Sequence, residues 1–373
     1  MLNIIILHHF DYPEGMATTK RFQLFADFFH KVGCKVTFVL KTQKVQSGSF
    51  EVGEYNGIHF YKVFYEKYRK YPLHFDKRQH LEILSIFNSL FLPQMRNIIL
   101  TGGISPEFLL VVRKLIPKWE LYCDYVEDFT TIRSQYNGLW KKNLWLFVKS
   151  LTAVFIYAPL ISYSERFMFR KAKGISTISP YLYKKAILKS ANVINIPITT
   201  KSIPYSPKTK IDKSTILFFA GTGSMKDGLE NVALALNMVL RKHDVKLRIS
   251  GKINPDGIKI ISSKCENMEK VEFLGFLTDQ QYFHELQQAD IMLMTRNNTK
   301  FANAGFPYKL GEYLATANPV VATNVSGIDK YLKNKENAIL IDPDNVDALV
   351  AGISFLIENP IEAKQIGQYG YNV

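Results

Sequence analysis

The chain has 373 residues, 47% of them hydrophobic, and a formal charge of +14. That length exceeds one ordinary core, so two globular domains are expected and extended disorder is excluded. Cys34, Cys123 and Cys265 are far apart with no C-x-x-C pair, which argues against a disulfide framework or a zinc site and for a reducing compartment.

Asn3 to His8 is a short apolar run, read as a buried first strand, and the run Leu2 to Leu7 is too short for a signal peptide. Thr18 to Val32 carries Phe22, Phe25, Ala26 and Phe29 at helical spacing and stops at Gly33. Further strands are predicted at Lys35–Leu40, Gly57–Val63, Asn97–Thr101, Glu120–Asp124, Gly174–Ile178 and Asn192–Pro197. Strands separated by helical patterns imply βαβ units and a parallel sheet. Residues 198–214 are polar, with Pro204 and Pro207, and read as a linker. The alternation then restarts with a strand at Thr215–Ala220, a glycine-rich turn and a helix at Gly228–Lys242. Strands follow at Lys246–Ser250, Val271–Leu274, Asp290–Thr295, Pro319–Thr323 and Ala338–Ile341. The expected fold class is therefore α/β, with two Rossmann-like parallel-sheet domains, 1–200 and 201–373, facing across a cleft that would take the ligand.

Charge is divided unevenly. Residues 1–200 hold 27 basic and 14 acidic side chains, whereas residues 201–373 hold 20 and 19. A one-sided positive field attracts anions, such as nucleic acid, lipid headgroups or a phosphorylated acceptor, although a merely soluble basic surface has the same composition. Leu144 to Tyr163 adds 20 aromatic and aliphatic-rich residues with one charge, Lys149, and is followed by Arg166, Arg170, Lys171 and Lys173. Three readings are open: a helix packed in the domain, a helix lying on a bilayer, or a span interrupted by Lys149 and Pro159.

The strongest local signal is FPYKLGEYLATANPVVAT, Phe306 to Thr323, which reads as loop, helix, turn and strand. Pro307 suits a helix start, where its missing N–H costs nothing, and the N–H groups of a helix start suit a phosphate. Lys309 places a cation in the first turn, against the usual preference for acids there, which makes sense if an anion binds. Glu312, three residues on, can accept from two sugar hydroxyls. An ordinary solvated lysine and glutamate on a capped helix fit the same letters.

These residues resemble the signature of retaining GT-B glycosyltransferases, family four, in its Pro-x-Lys-x-x-Glu-Tyr variant, and the resemblance extends over nearly the whole chain. It implies that Glu312 binds the nucleotide ribose of a nucleotide-diphospho-sugar donor. The family's first acid would fall at Ala304, so the pattern departs there. FFAGTGSMKDG, Phe218 to Gly228, resembles the first strand and turn of a donor domain, with Gly221 in the turn and Lys226 in the place of the lysine that neutralises the diphosphate. The family arginine is absent, and Thr222 stands near its place, which leaves Lys309 or Arg296 to compensate. Gly251 resembles the glycine ending the next strand. Gly275, Phe276 and Leu277 resemble the segment that cups the base. Pro13 to Ala17 resembles the loop whose glycine, Gly15, approaches the donor phosphates. Asp124 and Glu127, in LYCDYVEDF, are candidates to contact acceptor or sugar, and structural carboxylates at a strand end are equally consistent.

The expectation is an enzyme in which residues 1–200 bind a glycan or lipid-linked acceptor and residues 201–373 bind the donor. Lys226, Lys309 and the backbone at Phe306, Pro307 and Tyr308 would stabilise the departing diphosphate. Glu127 would act in catalysis beside them. No Asp-x-Asp element marks a divalent metal site, so no metal or other cofactor is expected. Retention by same-face attack and a role in cell-surface polysaccharide synthesis follow from the resemblance. The uneven charge, the Leu144–Tyr163 stretch and the basic residues from Arg166 to Lys173 add the expectation of a cytoplasmic location at the inner face of an anionic membrane, with no nucleic-acid partner. The closing helix that the family carries back onto its first domain is expected to begin where the chain ends, as in a truncated sequence. A catalytically weak relative that binds nucleotide sugar or glycan, and a nucleotide-sugar epimerase on the same fold, are the alternatives.

Overall fold

Ile4, Ile5, Ile6 and Leu7 are all sealed from solvent, as expected for a continuous apolar strand in the middle of a parallel sheet covered on both faces. The computed structural model describes residues 1–43, 50–65, 77–103, 106–128, 130–131, 158–200 and 214–373. It divides into two compact units, Met1–Pro197 and Ile198–Val373; the sequence reading drew the boundary after residue 200.

In the first unit the order is β1 (Leu2–His8), α1 (Ala17–Lys31), β2 (Lys35–Gln43), β3 (Phe50–Tyr55), β4 (Ile58–Tyr65), α2 (Lys77–Leu90) and β5 (Arg96–Thr101). Then come α3 (Pro106–Leu115), β6 (Glu120–Tyr125), α4 (Ala158–Lys171), β7 (Gly174–Thr177), α5 (Pro180–Ile187) and β8 (Val193–Asn195). The eight strands lie in the order β3-β4-β2-β1-β5-β6-β7-β8. All neighbours are parallel except β3 and β4, which form an antiparallel hairpin. The sequence reading missed β3, because most of its residues are exposed and no buried period marks it. The turn signal was present: Asn56 and Gly57 take φ of 53° and 77°, the paired positive values of a type I′ hairpin turn.

Most of the Leu144–Tyr163 stretch, residues 144–157, lies outside the described residues; its remainder opens α4. Among the described residues no helix is long and apolar enough to cross a membrane.

The second unit runs β9 (Thr215–Ala220), a 3-10 turn (Met225–Asp227), α6 (Leu229–Val239), β10 (Val245–Ser250), α7 (Pro255–Lys264), β11 (Val271–Gly275) and α8 (Asp279–Gln288). It continues with β12 (Ile291–Met294), α9 (Lys300–Ala304), α10 (Tyr308–Leu314), β13 (Val320–Thr323), β14 (Ile339–Ile341), α11 (Val346–Glu358) and α12 (Pro360–Tyr371). Its sheet order is β11-β10-β9-β12-β13-β14, parallel throughout. The period of two along β9 builds both cores at once. Leu217 and Phe219 pack with α6 and α11, while Ile216, Phe218 and Ala220 pack with Leu310 and Tyr313 of α10. α12 packs on its own unit, where a Cβ at Gly367 would collide with the carbonyl of Ala317.

Cys123 and Cys265 are buried and Cys34 is half-buried, and none is in a disulfide. In the first unit His8 is enclosed at the end of β1, its Nδ1 accepting from the His9 N–H at 2.8 Å. Burial, then the neighbouring His9, push its pKa down to about 3.

Candidate functional site

In open α/β sheets ligands bind outside the carboxyl ends of the strands. In the second unit those ends are shaped by glycine. The Gly221 N–H donates to Ser250 O at 2.9 Å, and the Gly251 N–H donates to Gly275 O at 2.8 Å, joining the ends of β9, β10 and β11. Gly251 has φ of 124° and lies against the Gly221 carbonyl, so a Cβ there would meet both strain and a collision.

The helix α10 docks onto the end of β9 through residues four apart, which share a helix face. The Ala220 N–H donates to Tyr313 Oη at 2.8 Å, and Lys309 Nζ donates to the Ala220 carbonyl at 2.9 Å. Both backbone groups of the last residue of β9 are therefore taken by side chains of α10. Lys309 Nζ also stands 4.5 Å from the centre of the Phe219 ring and 3.5 Å from Asp227 Oδ1.

Asp227 closes the 3-10 turn. Its Oδ2 accepts from the Ser224 N–H at 3.0 Å and from Ser224 Oγ at 2.8 Å, the reciprocal capping arrangement of a Ser-x-x-acid sequence. Burial pushes its carboxyl up, but Lys309, Ser224, Arg296 and Lys226 together outweigh that and hold it below the usual aspartate range. Burial pushes the Lys309 ammonium down, and Arg296 and Lys226 add to the push while Asp227 opposes it. Lys226, in the same turn as Asp227, places its Nζ 4.9 Å from the Phe301 ring centre. Arg296 follows β12; its N–H donates to Thr323 Oγ1 at 2.8 Å and its Nη1 to Ala302 O at 3.1 Å. One buried carboxylate thus sits among three cations from three different elements.

Glu312 is buried on α10 and accepts from Tyr282 Oη of α8 at 3.0 Å. Burial, then Glu312 itself, push the Tyr282 phenol well above its usual range. Pro307 takes the cap position of α10, one place earlier than a first helical residue, and makes no side-chain cap hydrogen bond. Phe306 meets Tyr331 edge-on at 5.8 Å, and Tyr308 is the first residue of α10. Gly275 ends β11, and Phe276 and Leu277 open the loop to α8; Phe276 is exposed, with Lys252 Nζ 4.6 Å from its ring centre. Ala304, where the first acid was looked for, is fully buried at the end of α9, and Thr222 donates no cation. Asp227, Tyr282 and Tyr313 were not foreseen. The Ser224-Met-Lys-Asp227 spacing was a legible signal for the first, and nothing local marks the two tyrosines.

In the first unit the candidates separate. Asp124 is fully buried and held by Arg21, with Nε to Oδ2 at 2.6 Å and Nη2 to Oδ1 at 2.9 Å. Ser176 Oγ donates to Oδ1 at 2.6 Å. Arg21 spends its other donors on the carbonyls of Pro197 and Ile196, both at 3.1 Å. Of the two readings held for Asp124, this geometry supports the structural one, because a carboxylate so enclosed anchors the chain. Glu127 is half-buried, two residues beyond β6. Its neighbour Asp128 is buried and paired with Lys185 at 2.8 Å. At Gly15 a Cβ would collide with Thr19 Oγ1 and the Asp11 carbonyl. The glycine is therefore required by the turn into α1, whatever approaches it from outside.

Residues 204–373 match the family model for glycosyl transferases group 1. The second unit belongs to that family. An uncharacterized glycosyltransferase of Haemophilus influenzae is 25% identical over 175 residues, which are 46% of this chain and 47% of that protein; the chain thus spans about half the length of that relative. Among solved structures, sucrose-phosphate synthase of Thermosynechococcus elongatus superposes with a TM-score of 0.74 at 14% identity, covering 99% of this chain and 93% of the other. The Anabaena protein HepE, solved with UDP-glucose, superposes with a TM-score of 0.65 at 13% identity, with 99% and 93% covered. These likenesses establish the two-domain GT-B fold over the whole chain, and the family match covers the segment that holds Lys226, Lys309 and Glu312.

Proposed function

We propose that the chain is a retaining glycosyltransferase of family four. It takes a sugar from a nucleoside-diphosphate donor held on the second unit and passes it to a glycan or lipid-linked acceptor held on the first. The observation that carries this reading is the gathering of Lys226, Lys309 and Arg296 around buried Asp227, with Glu312 on the same helix as Lys309. Breaking a sugar–phosphate bond releases negative charge on the diphosphate, and fixed cations stabilise it without reorganising. Lys309 and Lys226 take that role, Glu312 takes the ribose hydroxyls, and the reading routes no step through a metal. That HepE was solved with UDP-glucose supports a nucleotide sugar as the class of donor.

The reading places the enzyme at the cytoplasmic side of an anionic membrane, working in surface polysaccharide synthesis. Residues 158–200 carry seven Lys or Arg against one acid, Glu165, and that acid is paired with Lys185 at 2.9 Å and Lys189 at 3.2 Å. Ile187, Leu188 and Ile194 are exposed among them. Basic residues near an anionic leaflet contribute about 1 kcal/mol each, and apolar side chains add burial.

A second reading, a protein that binds nucleotide sugar without turnover, is favoured by Ala304 and Thr222, which stand where an acid and a cation were expected. One experiment separates them. Thermal shifts are measured against a panel of UDP-, GDP- and ADP-sugars, where saturation at a hundredfold over the dissociation constant stabilises by about 2.7 kcal/mol. The stabilising donor is then offered, with and without EDTA, to lipid-linked and soluble acceptors beside anionic and neutral vesicles. Transfer that is EDTA-insensitive and vesicle-stimulated is expected. A shift without transfer to any acceptor selects the second reading, and no shift with any donor rejects both.

A further inference from the structure

The site holds a carboxylate where an anion-binding pocket would be expected to exclude one. Asp227 is more than nine-tenths buried, 3.5 Å from Lys309 and under the influence of Arg296 and Lys226, and its charge opposes that of any diphosphate arriving there. A buried acid that serves only to cap a turn could be replaced by a neutral acceptor, since its Oδ2 alone meets Ser224. Its other oxygen faces Lys309 Nζ at 3.5 Å.

We propose that Asp227 is the positioning residue of this site: its carboxylate fixes the buried ammonium of Lys309 and balances one of the three positive charges around it. The proposal rests on the donor reading above and deepens it. Lys309 has two anchors, the Ala220 carbonyl at 2.9 Å and Asp227. The first fixes direction but carries no net charge. The groups that bear on Lys309 come from several elements: Asp227 and Lys226 from the 3-10 turn, Arg296 from the end of β12 and the Phe219 ring from β9, with Tyr313 of α10 itself on the same Ala220. Two of these are cations, and burial adds to their push toward the neutral amine. Asp227 is the counter-charge named among them. Without it nothing named here opposes the push of burial and the two cations, and the ammonium of Lys309 is held less firmly against a diphosphate. With it, three cations and one anion leave two positive charges for a ligand that carries two or three negative ones. The cap at Ser224 explains why the carboxylate cannot swing out to compete with the phosphates.

The test reads Lys309 directly. In protein labelled with 13C at lysine Cε, the Lys309 resonance, assigned by its loss in Lys309→Arg, is titrated with pH in the wild type, Asp227→Asn and Ser224→Ala. UDP and GDP affinities are measured across the same range. In the wild type Lys309 should stay protonated through neutral pH. In Asp227→Asn, whose side-chain oxygen can still accept from Ser224, the midpoint should fall by roughly one pH unit or more. Nucleoside diphosphate affinity should then drop about ten-fold, with the gap widening as pH rises. Ser224→Ala, which loses only a cap bond, should leave the midpoint where it was. An unmoved midpoint in Asp227→Asn overturns the proposal whether or not UDP binds. So does a wild-type midpoint below neutral pH, which needs no variant. A wild type that binds neither nucleotide sinks the donor reading instead, and the lysine titration still decides the role of Asp227.

Discussion

Each unit buries an aspartate against a cation at the carboxyl end of its sheet, and the two pairs are built to opposite ends. In the first unit Arg21 and Asp124 satisfy one another completely: two charge-assisted bonds between them, two carbonyls for the arginine and a serine hydroxyl for the aspartate. Both carboxylate oxygens and four of the guanidinium's N–H groups are taken within the unit. In the second unit Lys309 and Asp227 stand farther apart, at 3.5 Å, with Lys226 and Arg296 acting on both. A closed pair holds the chain together and is indifferent to what binds nearby. An over-cationic cluster sacrifices some stability to keep charge available. Location at a strand end does not separate the two cases, but charge balance does.

The largest effect should come from opening the closed pair. Arg21→Met leaves Asp124 buried without a counter-charge, with Ser176 still donating to it, and should cost about 3–5 kcal/mol, read as a lowered denaturation midpoint. Affinity for a nucleoside diphosphate should not change in that variant, and a loss of binding at unchanged stability would erase the contrast. Lys309→Met should behave in the opposite way. Its stability should fall far less than that of Arg21→Met, because a repelled cation is removed, while UDP or GDP binding should weaken roughly ten- to a hundred-fold in titration calorimetry. The smallest of the three effects belongs to Glu312→Gln, which keeps its shape beside Tyr282 but loses its charge. About a ten-fold loss of nucleoside affinity, with pyrophosphate affinity unchanged, would mark Glu312 as a sugar-hydroxyl ligand. Equal losses for both would place it with the phosphate cations.

The sequence carried the parallel sheets, because the runs Ile4–Leu7 and Ile291–Met294 are apolar throughout and bounded by turns. It also brought out Lys309 and Glu312, because a cation in the first turn of a helix is a local anomaly. It could not separate Asp124 from Glu127: both are acids after a strand, and only the partner from α1, more than a hundred residues away, makes Asp124 an anchor. Lys226 and Lys309 were legible together through the resemblance, but the acid beside them, Asp227, was not, because it reads locally as a helix cap. Tyr313 and Tyr282 were invisible for the same reason, because a phenol declares itself only through the backbone or carboxylate it meets. The β3 hairpin was overlooked for a different reason. Its Asn56-Gly57 turn was in plain sight, but the strand faces water and lacks the buried periodicity that drew attention elsewhere.

The three thiols bear on how the motion of this protein can be followed. Cys123 and Cys265 are packed inside their units, and burial holds the Cys123 thiol far above the range in which it ionises. Cys34, at the entrance to β2, is the accessible one of the three. A maleimide fluorophore should therefore attach to the folded wild type at a single place, on the first unit. One added cysteine on an exposed helix of the second unit, such as α12, would supply the other dye. The separation of the two halves could then be recorded molecule by molecule as donor is added, with no native residue of either site replaced.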